Sequence, residues 1–197
     1  MPRRLAPALL TLLALIGASP APASAAKAKP ELVLGHLSFP TNVALSPDGR
    51  IFFTEKETGD VRIIEDGELL PAPFDHLDVV GGGETGLLGI ALHPNFPEDP
   101  WVYVYYSDAA DDRNRLIRIL ADGDVGADRQ NLIDGLTTEN GYHNGGDIAF
   151  GLDGSLFLSI GEAHESARAQ DPNDIGGKVV RIEANGNLAP DNPFGPD

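Results

Sequence analysis

The sequence predicts an all-β protein of propeller type, and three observations carry that expectation. A strand-like segment recurs three times, as Val61-Arg-Ile-Ile-Glu-Asp-Gly67, Ile117-Arg-Ile-Leu-Ala-Asp-Gly123 and Val180-Arg-Ile-Glu-Ala-Asn-Gly186. The copies lie 56 residues apart (Val61 to Ile117) and then 63 apart (Ile117 to Val180), the span of a four-stranded sheet with its loops. Helical periodicity is weak throughout, and only Glu162 to Gln170 suits a short helical turn. A β-sandwich would also give short, regularly spaced strands. The return of one strand-turn-strand unit in the same internal order favours the propeller.

Each unit is read from local patterning. In the first, Asn42-Val-Ala-Leu-Ser-Pro-Asp-Gly-Arg-Ile-Phe-Phe-Thr-Glu55 places a Pro-Asp-Gly turn between two strands. In the second, Leu87-Leu-Gly-Ile-Ala-Leu-His-Pro94 precedes Trp101-Val-Tyr-Val-Tyr-Tyr106, a strand whose aromatic residues on both faces are read as blade packing. In the third, the hairpin runs from Asp147 to Glu162 about an Asp153-Gly154 turn. Three units are about half of a closed ring of the usual four to eight blades, so a truncated propeller is expected.

Arg3 and Arg4, the apolar run Leu9 to Ile16 and the small residues Ala21 to Ala26 have the form of a secretory signal peptide over 1–25, cut after Ala25. A linker, 26–38, then leads into the propeller segment, 39–197. The apolar run is shorter than the roughly 20 residues of a membrane span. A soluble product, secreted or periplasmic, is therefore expected, with no membrane span in the mature chain. The absence of cysteine excludes disulfides and thiolate metal sites. A formal net charge of -16 opposes contact with phosphate backbones, so no nucleic-acid partner is expected.

The candidate chemistry centres on Tyr142-His143-Asn144-Gly145-Gly146. One histidine stands on a glycine-flanked loop at the mouth of the third hairpin, where small neighbours would let a ligand approach, as a general base requires. Glu162 closes the far end of that hairpin and is placed to orient the imidazole. Asp147 reads as structural, and His93 as a strand-end hydrogen-bonding residue. Trp101, Tyr103, Tyr105 and Tyr106 read as packing. His36, His76 and His164 carry no signal.

Phe39-Pro-Thr-Asn-Val-Ala-Leu-Ser-Pro-Asp-Gly49, Gly83-Glu-Thr-Gly-Leu-Leu-Gly-Ile-Ala-Leu-His-Pro-Asn-Phe96, His143-Asn-Gly-Gly146, Phe150-Gly-Leu-Asp-Gly154, Ala169-Gln-Asp171, Gly177-Lys-Val-Val-Arg-Ile182 and Asp191-Asn-Pro-Phe194 occur in one order. In that order they resemble the soluble PQQ-dependent sugar dehydrogenases, the glucose/sorbosone dehydrogenase family. The resemblance implies a six-bladed propeller seen here as its N-terminal half, with pyrroloquinoline quinone (PQQ) and calcium at its central end. It implies oxidation of a sugar's anomeric hydroxyl to a lactone, with His143 as the base, Glu162 as its carboxylate partner, and a substrate or histidine contact from Glu84. It places most cofactor-binding and calcium-ligating groups beyond Asp197, assigns no metal ligand here and leaves the electron acceptor unidentified; the fragment alone is expected to be inactive.

Two positions depart from the family pattern. Glu162 stands where the family usually has Asp, and Asp147 where it commonly has Arg. The alternatives are a non-catalytic binding propeller of the same fold and a calcium-dependent lactonase-like propeller.

Overall fold

The computed structural model describes residues 28–190 and Asn192. The expected signal peptide, 1–25, and Asp191, Pro193 and Phe194 of the last motif lie outside the described residues. All that follows concerns the described residues of the unit Val33–Asp197.

Alternation of apolar and polar residues builds three antiparallel sheets in chain order. The first contains β1 (Pro40–Leu45), β2 (Ile51–Glu55), β3 (Asp60–Glu65) and β4 (Glu68–Leu69), with β5 (Asp75–His76) also paired to β3. The second runs β6 (Leu87–Leu92), β7 (Trp101–Asp108), β8 (Arg113–Asp122) and β9 (Val125–Thr137). The third runs β10 (Gly145–Phe150), β11 (Leu156–Ile160) and β12 (Lys178–Ile182). Apart from β5, each strand pairs with its successor within its sheet, the meander of a propeller blade. The first strands β1 and β10 both lie against β6, which gathers the three leading strands along one inner line.

The thrice-repeated segment is the third strand of each sheet, and the structure accounts for its arginine. Arg62, Arg118 and Arg181 lie directly across from Phe53, Tyr103 and Phe157 on the second strands. Each then reaches the chain that follows: Arg62 donates to the Leu70 carbonyl, Arg118 to Gln130 Oε1, and Arg181 to the Pro190 carbonyl. An aromatic–arginine cross-strand pair per blade fixes register and ties down the outer chain.

Two cores separate the sheets. Phe52, Val61 and Ile63 meet Val102, Val104, Ile117 and Ile119 between the first and second. Tyr103, Tyr105 and Leu116 meet Ile148, Leu156, Leu158 and Ile182 between the second and third. The second sheet is thus buried on both faces, which is why β7 reads as a continuous apolar run. Burial of each large side chain stabilises by about 1.5–3 kcal/mol.

β9 has no counterpart in the sequence reading. Its residues are mostly solvated, so no apolar alternation marks it, and pairing to β8 alone makes it a strand. The helical turn expected over Glu162 to Gln170 is a 3-10 turn at Ser166–Gln170, and a second lies at Glu139–Gly141.

Candidate active site

Pairing of Gly145 with Ile160 sets the start of β10 against the end of β11. The residues just outside that pair, His143 and Glu162, therefore meet although 19 positions apart. Glu162 Oε1 contacts His143 Nδ1. An ionised carboxylate only accepts, so Nδ1 carries the proton and Nε2 is left with a free lone pair. The imidazole is about half exposed and the Glu162 side chain less so, at 46% and 22%.

The hydrogen bond to Glu162 is the main cause that raises the His143 pKa above the ordinary histidine value; partial burial opposes it, and the charges of Glu162 and Glu84 add to it. The same hydrogen bond is the main cause that lowers the Glu162 pKa. Both shifts favour the imidazolium–carboxylate form of the pair.

His143 occupies the left-handed region with φ 54, uncommon for a residue with a side chain. Its backbone is held on both sides. Glu84 Oε2 accepts from His143 N at 2.6 Å, and Ala163 N donates to the His143 carbonyl at 3.2 Å. The next residue, Asn144, is buried. Its Oδ1 accepts from Asn114 Nδ2 at 2.8 Å and its carbonyl from the Tyr105 hydroxyl at 3.1 Å. Glu84 also donates its own N–H to the Gly141 carbonyl at 2.9 Å, so it clasps this segment twice.

The glycines around His143 do something other than admit a ligand. A Cβ on Gly145 would stand 2.6 Å from the Ser159 carbonyl oxygen, and one on Gly146 2.6 Å from the Tyr105 ring. The room they leave is filled by the protein's own backbone and core. The imidazole side chain is nonetheless about half open to solvent.

Glu162, Glu84 and His143 are thus brought together. Asp147 stands apart, its N–H on Ser159 Oγ and its carboxylate 3.4 Å from Asn42 Nδ2. His93 accepts from Asn95 N at 3.3 Å, a local loop contact. Tyr103 and Tyr105 are fully buried, as packing residues should be. His164, which carried no signal, has its ring 4.8 Å from that of His143 and beside Tyr142. Ala163 and His164 both have positive φ, and that turn, which no sequence pattern announces, swings the second imidazole back.

Beside this cluster lies a pocket of about 430 Å³ lined by Phe39, Thr41, Lys56, Gly83, Glu84, Leu88 and Gly145. Thr41, Leu88 and Gly145 come from the three inner strands β1, β6 and β10, so the pocket sits where those strands converge. Its volume is within the range of small-molecule sites, and Phe39 and Leu88 give it apolar walls beside one lysine. Those walls suit one side of a flat ring system, and Lys56 and Glu84 bring one charge of each sign to the lining. Among the described residues no cluster of three His, Cys, Asp or Glu side chains could hold a metal ion, so they do not fit a carboxylate-caged calcium.

The family model for glucose/sorbosone dehydrogenase matches residues 37–197. The aldose sugar dehydrogenase of Escherichia coli (strain K12) is 30% identical over 172 residues, covering 83% of this chain and 46% of that protein. Among solved structures, an oxidoreductase described as a glucose dehydrogenase from Thermus thermophilus is 40% identical with a TM-score of 0.78, covering 83% of this chain and 50% of that one. The PQQ-bound aldose sugar dehydrogenase of Streptomyces coelicolor is 32% identical with a TM-score of 0.74, covering 83% and 49%. The chain spans about half the length of the relatives it matches.

Proposed function

Since the chain belongs to the glucose/sorbosone dehydrogenase family, we propose that the whole protein is an exported, quinone-dependent aldose dehydrogenase that converts a sugar's anomeric hydroxyl to a lactone. The observation that carries this reading is the His143–Glu162 pair, in which Glu162 holds the proton on Nδ1 of a half-exposed imidazole. Bound quinone would supply the hydride acceptor, with Phe39 and Leu88 against its rings and Lys56 as a nearby positive charge.

The chain's own residues handle the proton. Neutral His143 takes it from the anomeric hydroxyl at Nε2 while the carbon–hydrogen bond gives up its hydride and the ring carbon becomes a lactone carbonyl. The imidazole gains a positive charge in that step, and Glu162 offsets it through Nδ1. The longer side chain of Glu162, relative to the family's usual Asp, still reaches the ring. Glu84 acts on the backbone of His143 and thereby sets where Nε2 points. No step is assigned to calcium, whose cage these residues do not form.

The test is sugar-dependent dye reduction by the whole protein, with and without added PQQ. The proposal expects turnover only with quinone. Saturable quinone binding without turnover would leave a binding propeller, and lactone hydrolysis without quinone would favour the lactonase alternative.

A further inference from the structure

We infer that Lys56 is a positioning residue for His143, acting through the 81–86 loop and Glu84. The inference rests on the reading of His143 as the base. Lys56 follows directly on β2 and is only 5% exposed, an unusual place for an ammonium group. Its Nζ donates to the Gly83 carbonyl at 2.9 Å and lies 5.0 Å from the centre of the Phe39 ring.

Its backbone holds the other end of the same loop. The Lys56 carbonyl accepts from Leu87 N at 2.9 Å, and a Cβ on Gly86 would collide with that carbonyl. Between these anchors the loop turns on itself through Thr85, whose Oγ1 donates to the Gly82 carbonyl at 2.6 Å. On its far side the loop presses on the histidine segment. A Cβ on Gly83 would stand 2.7 Å from the Gly141 carbonyl oxygen, and Glu84 makes its two hydrogen bonds to Gly141 and His143 there.

The loop is therefore wedged between Lys56 and the backbone of residues 141–143. Without the ammonium, the Gly83 carbonyl loses its partner and the loop can draw away from Lys56, taking the Glu84 carboxylate off the His143 amide. A buried lysine, far from the histidine in sequence, thus helps decide whether a left-handed residue keeps its place.

The test reads the His143 backbone amide by hydrogen exchange and NMR in the whole protein, with no sugar or quinone present. Failure here therefore leaves the base assignment standing. Lys56→Met should speed exchange at His143 about tenfold, the loss expected for a charge-assisted hydrogen bond, and leave the Ile148 amide in β10 protected. Lys56→Arg should restore the slow exchange, and Glu84→Ala should reproduce the Met variant's effect. Should Lys56→Met not fold, Lys56→Gln is read against the same outcomes. Unchanged exchange at His143 in a folded variant overturns the inference. Acceleration spread evenly over β10 without rescue by Arg overturns it too, since Lys56 would then serve only the core.

Discussion

Gly161 lies against the carbonyl of His143, so that a Cβ at position 161 would land on that oxygen. Both partners are backbone, and neither is the movable end of a side chain. Gly161→Ala should therefore cost about 1–3 kcal/mol, as overpacking does, and push His143 off Glu162. Urea denaturation reads the first effect and the His143 ring resonances the second. Wild-type stability in the alanine variant would mean that the hairpin mouth is softer than this packing implies.

Glu162→Gln should lower the His143 pKa. In the native pair the folded imidazole titrates above its unfolded value, because the Glu162 hydrogen bond favours its charged form. The stabilisation drawn from that shift is full below the unfolded pKa of His143 and is lost as pH rises through the raised folded pKa. With glutamine the imidazole should titrate nearer the ordinary value of about 6.5. The acid limb of sugar oxidation should then move to lower pH as the maximal rate falls. An NMR titration of the His143 ring in both forms checks the sign.

Glu84→Ala should lower the His143 pKa less than Glu162→Gln does, since only its charge acts on the ring while its hydrogen bond goes to the backbone. The rate should fall about 10–100-fold through misplacement of Nε2. Glu84→Gln keeps an acceptor for the amide and should retain most of the rate. Equal loss in both variants would point to the charge rather than the position.

Behind the histidine, Ser107, Asn114 and Asn144 form a buried chain: Ser107 Oγ donates to Asn114 Oδ1 at 2.7 Å, and Asn114 Nδ2 donates to Asn144 Oδ1 at 2.8 Å. Asn114→Ala strands both neighbours and should destabilise by about 1–3 kcal/mol. Tyr105→Phe removes one donor from the Asn144 carbonyl and should cost about 1 kcal/mol. Denaturant midpoints should shift accordingly, with unchanged slopes.

Much of the scaffold was legible because strand pairing leaves a local trace. The Asp48-Gly49 and Asp153-Gly154 turns and the recurring Val/Ile-Arg-Ile segment lie where the hairpins and third strands form. β9 left no such trace, because a solvated outer strand needs no apolar face. At the site, His143 and Glu162 could be paired by following one hairpin. The grip of Glu84 on the His143 amide spans 59 positions and joins two blades, which no local pattern encodes. Lys56 and His164 were hidden for related reasons: one acts through a carbonyl, the other through two left-handed residues in succession. Close approach does account for the glycines at 145 and 146, but what approaches them is the protein itself.

In the proposed reaction His143 removes the hydroxyl proton in the hydride-transfer step. The most direct test of that role is single-turnover reduction of bound quinone by an aldose in the whole protein, comparing wild type with His143→Ala at equal quinone occupancy. Quinone binding should persist while the rate falls about 10²–10⁴-fold, the usual contribution of a positioned base. Reduction at the wild-type rate in the alanine variant would contradict it.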